Sequence, residues 1–389
     1  MYDLTNYCVY MNNSPFINNK GNLHLCCKNN HNQIDGNIKT HKLSDMYYSL
    51  QYKALRDKMY IGKKINGCHI CYDQENIKQT SFRQRALSMI GDKPLQDSNI
   101  RMLDLRVGSL CNLMCSMCHP SDSSKWHANY SSYATLLGKS QKSIHVTLDT
   151  NSPDLLNWAE YDQSWENIFC SIDKNYLKQV YIAGGEPFYI KNFHLYMNEL
   201  KKRAPLANIT INTNATRLLL NKHLDIFKDI ILRISIDGFG EYDEYQRLGT
   251  SWAEKLEVID QYYNNFKVLF FDITITALTI RSVPMLVNFL HNKFPSVRIL
   301  FRPVVNRPEQ DLRILPQHLL VDVINFVNNN IDNPKFYNIK QLQTFLKDSM
   351  LENKHNLRKF VSHWDTLSEL KLANIDNELY RWVYADNSS

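Results

Sequence analysis

Glycine and proline are scarce, with 12 of each in 389 residues, which excludes collagen-like or linker-rich organisation. No apolar run reaches the roughly 18 residues that a membrane-spanning helix needs. The opening MYDLTNYCVYMNNSPF lacks a basic segment followed by an apolar one, so no secretory signal is read and a cytoplasmic location is expected. Excess charge is also small. Lys and Arg total 45 against 39 Asp and Glu, a formal net charge of +6. That is too little to argue for nucleic acid or an anionic membrane as a partner, and neither is expected. The remainder is ordinary for a folded chain, 44% hydrophobic and 22% charged, which excludes general disorder. The length suggests roughly two or three domains and allows a sizeable core.

Cysteine is the informative residue. There are nine, at 8, 26, 27, 68, 71, 111, 115, 118 and 170. In a reducing cytosol these point to metal ligands or catalytic groups before disulfides. Three form a tight knot, Cys111-Asn-Leu-Met-Cys115-Ser-Met-Cys118. Thiolates select zinc, copper(I) or iron–sulfur clusters. Structural zinc asks for four ligands, and the knot supplies three. His119 follows at once, but adjacent residues in a loop point apart, so it is a poor fourth. A [4Fe–4S] cube offers another arrangement, in which three irons take the thiolates and the fourth stays open for a substrate or cofactor. From the knot alone, both readings stand.

The surroundings of the knot have a pattern of their own. Residues 101–107 read as a strand with a partly alternating face, and the knot follows it directly. Further strands are expected over residues 178–183, 208–213, 230–236, 268–278 and 297–303. Helices are expected over 191–204, most of 241–265, and 283–292. Alternating β and α units imply an α/β fold with a parallel sheet and right-handed crossovers. Six such units are expected to curl into a partial (β/α)6, TIM-like barrel. Chemistry in such barrels sits on the loops that follow the strands. The knot, the turn Gly184-Gly185-Glu186-Pro187, Thr213-Asn214, and Ser235-Ile-Asp237-Gly238 all occupy that position in the chain.

These motifs resemble those of the radical S-adenosylmethionine (SAM) superfamily. Cys111, Cys115 and Cys118 match its C-x3-C-x2-C signature. Gly184 to Pro187 match its Gly-Gly-Glu-Pro turn, and Thr213-Asn214 and Ser235 to Gly238 match two further recurring turns. The resemblance covers roughly residues 98–305. Met117 departs from it, because an aromatic usually precedes the third cysteine. The resemblance implies a [4Fe–4S] cluster whose open iron binds SAM. One electron then splits SAM into methionine and a 5′-deoxyadenosyl radical, which takes a hydrogen atom from the substrate. A flavodoxin, ferredoxin or other reductase is implied as electron donor. Gly184, Gly185, Glu186 and Pro187 would meet the methionine end of SAM, the glycines by letting the backbone approach. Asn214, Ser235 and Asp237 are candidates for contacts to SAM. The competing reading for these three is helix capping, for which their residue types are preferred.

Residues 1–90 carry the other set of cysteines. Cys8 opens a strand-like stretch. Asn18-Asn-Lys-Gly-Asn22 signals a hairpin turn, and residues 23–27 form the returning strand. Helices are expected over 43–60 and 72–90. This segment resembles the twitch (half-SPASM) domain, an α+β unit that holds an auxiliary [4Fe–4S] cluster and in most relatives follows the barrel. The resemblance implies Cys8, Cys26, Cys68 and Cys71 as its ligands. Successive strand residues face opposite sides, so only one of Cys26 and Cys27 is expected to ligate, and the family pattern favours Cys26. Zinc closed by the same four thiolates is the competing reading.

Cys170 stands alone, in an insertion-like segment over residues 140–177. It reads either as a catalytic hydrogen-atom donor or as a buried structural thiol. Residues 306–389 are expected to form a helical extension, beginning with an amphipathic helix over 315–330. Arg302 reads as a substrate-anion contact or as a surface ion pair. His145, His194 and His363 show no ligand-like spacing. The expected function is radical SAM chemistry on a peptide. Alternatives are a sugar- or nucleotide-type small molecule, or a non-catalytic zinc-stabilised binding protein.

Overall fold

A computed structural model describes residues 4–76, 78, 80–88, 95, 97–140, 157–305, 307–348, 350 and 353–385. Among the described residues the strands run β1 Phe16–Ile17, β2 Leu23–Cys26, β3 Asn29–Gln33, β4 Met102–Arg106, β5 Met114–Cys115, β6 Gln179–Ala183, β7 Asn208–Thr213, β8 Ile231–Ser235, β9 Arg247–Leu248, β10 Val268–Ile275, β11 Arg298–Pro303 and β12 Phe336–Tyr337. Two compact units form, one from residues 1–110 with 151–211, the other from 111–150 with 212–389.

The first unit begins with the expected hairpin. Asn18 Oδ1 accepts from the backbone N–H of Lys20 and Asn22, at 2.9 and 3.0 Å, and Gly21 supplies a φ of +84°. The turn brings β1 and β2 together antiparallel, with Phe16 opposite His24. Strand β3 continues this antiparallel edge, whereas β1 joins β4 in parallel. Parallel pairing goes on through β4–β6 and β6–β7. Alternation decides the faces. Leu103 and Leu105 are buried, while Asp104 and Arg106 share the other face of β4 and pair at 3.2 Å. The helices Asp162–Phe169 and Phe193–Arg203 pack through Trp165 and Tyr196, whose stacked rings lie 4.8 Å apart.

The second unit holds a parallel sheet in the order β12-β11-β10-β8. Leu232, Ile234, Phe271, Ile273, Ile299 and Phe301 form its buried face. Arg233, Asp272 and Arg302 occupy the polar face, both guanidinium groups within 3 Å of the Asp272 carboxylate. Arg302 thus makes an ion pair. Helix Lys354–Leu367 buries Leu357, Phe360, Val361 and Trp364, and the Trp364 indole N–H donates to the Tyr245 carbonyl at 2.8 Å.

The α/β class, the parallel strands and the helices follow the sequence expectation, with instructive local differences. Cys8 does not open a strand; it stands just before the short helix Val9–Asn13 in extended conformation. The expected helix over 43–60 is broken at Tyr48–Ser49, where the Ser49 side chain caps the second piece. The stretch 241–265 is two helices, Glu241–Gln246 and Trp252–Asn265, separated by β9. There Gly249 takes a φ of +94°, and Ser251 caps the second helix by accepting from Glu254 N–H. The helix expected over 315–330 starts with a 3-10 turn, Gln317–Leu320, before Val321–Asn329. His145 and residues 141–156 of the expected insertion lie outside the described residues. Among the described residues, no helix is long and apolar enough to cross a membrane.

Candidate functional site

The three-cysteine loop lies in the second unit and is pinned along its backbone. Cys115 stands in β5, opposite Arg247 of β9, and Met114 opposite Leu248. The Trp126 indole donates to the Cys115 carbonyl at 2.9 Å. Ser116 N–H donates to the Gln246 carbonyl at 2.8 Å, and Gln310 Nε2 donates to the Ser116 carbonyl at 3.0 Å. Arg307 donates to the Cys118 carbonyl. Trp126, Gln246 and Gln310 are fully buried, so the loop is held by groups that have no solvent to compete for them.

Two of its sulfurs receive N–H donors. Arg247 Nη1 lies 3.5 Å from Cys115 Sγ, and Asn214 Nδ2 lies 3.8 Å from Cys111 Sγ. Burial pushes the free Cys115 thiol up to about 12, against the pull of Arg247, and raises Cys118 as well. A metal cation reverses this preference, because a coordinating thiol gives up its proton. His119 does not complete a set of ligands. Its Nδ1 is 2.9 Å from Ser121 Oγ, and burial, Arg307 and Lys139 hold its ring down to about 4.

Behind Cys115 lies a buried charge network. Arg247 Nε pairs with Asp237 Oδ2 at 2.7 Å and stands 3.9 Å from Asp243. Lys255 Nζ pairs with Asp243 Oδ2 at 2.6 Å, with both side chains 0% exposed. Burial pulls Lys255 down from the usual lysine range, partly offset by Asp243. The same cause raises Asp237, partly offset by Arg247. Asp237 Oδ1 also accepts from Thr274 N–H at 2.8 Å. Both oxygens of Asp237 are therefore engaged inside the protein.

The other sequence candidates have defined local roles. Ser235 Oγ is 3.2 Å from Asn212 Nδ2. Asn214 Oδ1 accepts from Thr216 N–H at 3.1 Å, a turn cap, while its Nδ2 also donates to Asn112 Oδ1 at 3.0 Å. The Gly-Gly-Glu-Pro turn follows β6 in the first unit. A Cβ on Gly184 would meet Val107 N at 2.7 Å, and one on Gly185 would meet Leu110 O at 2.1 Å. Both glycines thus make room for the backbone that follows β4. Glu186 Oε1 accepts from Phe188 N–H at 3.1 Å, capping the 3-10 turn that begins at Pro187.

In the first unit, Cys8, Cys26, Cys68 and Cys71 together line a cavity of about 30 Å³ with Met11 and Leu25. Cys27 does not line it and interacts instead with Asp104 and Arg106. No Asp or Glu lines this cavity among the described residues. Asn29 Nδ2 donates to Cys68 Sγ at 3.2 Å and Lys28 N–H to Cys26 Sγ at 3.4 Å. Among the described residues no three His, Cys, Asp or Glu stand close enough to share one metal ion. In a cube each thiolate takes its own iron, so its sulfurs are spread more widely than around one ion. The donor chemistry fits clusters at both places, the N–H groups being the kind that orient and tune cluster sulfurs.

Cys170 is exposed at the end of helix Asp162–Phe169, which corrects the expectation of a buried thiol. Sequence reading missed Arg247, Lys255, Gln246 and Gln310. A signal for the first was present, because Leu248-Gly-Thr-Ser251 carries a helix stop and a new N-cap.

Residues 105–290 match the radical SAM superfamily profile, and residues 8–72 match the SPASM iron–sulfur cluster-binding domain. The chain carries a radical SAM domain. Among solved structures, the chain is similar to a histidine-tagged anSMEcpe with bound AdoMet, at 16% identity and a TM-score of 0.41, covering 61% of this chain and 62% of that one. It is also similar to SuiB of Streptococcus suis bound to S-adenosylmethionine, at 16% identity and a TM-score of 0.35, covering 75% and 56% respectively. TYW1 with a lysine-pyruvate adduct bound is similar at 14% identity and a TM-score of 0.33, covering 72% and 88%. The chain thus spans about three fifths of the length of the first of these structures. Comparison with curated proteins finds no match.

Proposed function

We propose that the protein is a radical SAM enzyme with two [4Fe–4S] clusters, one on Cys111, Cys115 and Cys118, the other on Cys8, Cys26, Cys68 and Cys71. The observation that carries the reading is the pinned three-cysteine loop, with N–H donors aimed at the Cys111 and Cys115 sulfurs. The first cluster supplies the electron that splits SAM into methionine and a 5′-deoxyadenosyl radical. Trp126, Gln246, Gln310 and Arg307 hold the loop in place for it. Asn214 fixes the Cys111 side. Asp237 acts by anchoring Arg247, and Gly184 to Pro187 shape the turn against which the methionine end of SAM would lie, with Ser235 as a further contact.

Four thiolates close the second cluster and make it an electron relay or a structural staple. In this reading residues 1–90 form the auxiliary module, 98–305 the barrel and 306–389 a helical extension, and the enzyme works in the cytoplasm with a flavodoxin- or ferredoxin-type donor. The hydrogen atom comes from a peptide, the alternative being a sugar- or nucleotide-type molecule. The test is anaerobic reconstitution followed by dithionite and SAM. Iron and sulfide at about eight each and release of 5′-deoxyadenosine are expected. Cys115→Ala should abolish that release. A reconstituted protein without labile sulfide would refute the proposal. Deuterium carried from a labelled peptide into 5′-deoxyadenosine would establish the substrate class.

A further inference from the structure

We propose that Arg247 sets how readily the cluster on Cys111, Cys115 and Cys118 accepts its electron, by presenting a guanidinium to the Cys115 sulfur. The inference rests on the two-cluster reading above. Arg247 is a positioning residue, acting on the reaction through a cluster ligand.

The backbone specifies the contact. Pairing of β5 with β9 places Cys115 opposite Arg247. Gly249, one residue past β9, has a positive φ, and a Cβ there would lie 3.3 Å from the Asn112 carbonyl. The ribbon thus depends on a close approach in the cysteine loop itself. From β9 the Arg247 side chain, 7% exposed, reaches Cys115 Sγ with Nη1 at 3.5 Å and Asp237 with Nε at 2.7 Å. Asp243 and Lys255 complete a set of two cations and two anions. The set is neutral in total but ordered, with a cation at its sulfur end.

An added electron makes a thiolate-held cluster more negative. A nearby positive group therefore favours the reduced form over the oxidised one, and burial keeps solvent and salt from screening it. Cluster potentials respond to net charge and to hydrogen bonds to the sulfurs. Lys28 and Arg83 also stand in the wall of the cavity lined by Cys8, Cys26, Cys68 and Cys71, but the donors to its sulfurs are a neutral side-chain amide on Cys68 and a backbone N–H on Cys26. Arg247 thus raises the potential of the first cluster, the one whose ligand it touches. One electron leaves a low-potential one-electron donor of the flavodoxin or ferredoxin class and enters that cluster, oxidising the donor by one electron.

The test is an anaerobic redox titration of the reconstituted full-length protein with titanium(III) citrate, following the electron paramagnetic resonance of the reduced clusters. The signal absent from Cys115→Ala identifies the first cluster. In R247Q its reduction equilibrium should fall at least tenfold, about 59 mV for one electron. R247K keeps the charge and should lie closer to wild type, and the second cluster should not shift in either variant. Equal potentials in wild type and R247Q would overturn the proposal. If R247Q fails to hold the cluster, D237N decides. Removing the counter-carboxylate should raise the potential, and an unchanged or lower value overturns the inference. A wild-type protein with no Cys115-dependent signal overturns the functional reading as well.

Discussion

Lys255→Met tests the charge network behind Cys115 most directly. The ammonium lies 2.6 Å from Asp243 Oδ2, and neither side chain is exposed at all. Asp243 Oδ1 also accepts the Asp237 backbone N–H at 2.7 Å, so Asp243 cannot swing out to water without giving that bond up. Deleting the lysine leaves a buried carboxylate whose next cation, Arg247, is 3.9 Å away and already paired with Asp237. Removing one partner of a buried pair costs about 3–5 kcal/mol. At about 1.4 kcal/mol per tenfold, that is roughly a hundredfold to a few thousandfold in the opening equilibrium. Against a total of about 5–15 kcal/mol, the second unit would be left marginal. The double variant D243N/K255M removes both charges while Asn keeps an acceptor for Asp237 N–H. It should recover most of the loss, as neutral replacements of buried pairs often do. Native-state hydrogen exchange on peptides from helix Trp252–Asn265 reports this unit separately from the first. A K255M protein within about 1 kcal/mol of wild type would refute the reasoning, since that is an ordinary substitution effect. A double variant no better than the single one would refute it too.

Other outcomes follow from the same geometry. Gly185→Ala sets a methyl 2.1 Å from the Leu110 carbonyl oxygen, so the backbone after β4 must shift. A loss of about 1–3 kcal/mol or more is expected, seen as faster exchange over residues 102–110, and wild-type protection in G185A would contradict it. Cys26→Ala should lower iron by about four per chain while Cys27→Ala leaves it unchanged; equal losses would undo the choice between them. Cys170→Ala should leave turnover and deuterium incorporation from deuterated water as they are, because the thiol is exposed, and a loss of either would restore it as a hydrogen-atom donor.

The elements that periodicity describes were legible in the chain. Strand β7 falls at the expected residues, and β4, β6, β8 and β11 begin or end within one residue of them, because each carries buried residues at alternate positions between clear turn residues. The hairpin before Cys26 was legible for the same reason, through Asn18 and Gly21. What periodicity conceals is a short break between two helical stretches. Residues 241–265 are polar and apolar at helical spacing almost throughout, and a two-residue ribbon adds nothing to that pattern. Yet this break is what places Arg247 beside Cys115. Polar motif residues were hard to assign for a different reason. The side chains that suit a ligand also suit a turn, and Glu186 and Asn214 are observed capping backbone N–H groups. Asp237 finds its ion-pair partner, Arg247, ten residues away, on an element whose approach only tertiary packing defines.

The cavity that gathers Cys8, Cys26, Cys68 and Cys71 draws on three separate stretches of chain. Anything bound there is also a cross-link, closing two long loops at once. Binding to a place that does not exist in the unfolded polypeptide counts directly toward folding. An oxidant that dissolved such a group would release three tethered segments together and open the amino-terminal module to proteases. Oxygen damage and the lifetime of the polypeptide would then be governed by the same four sulfur atoms.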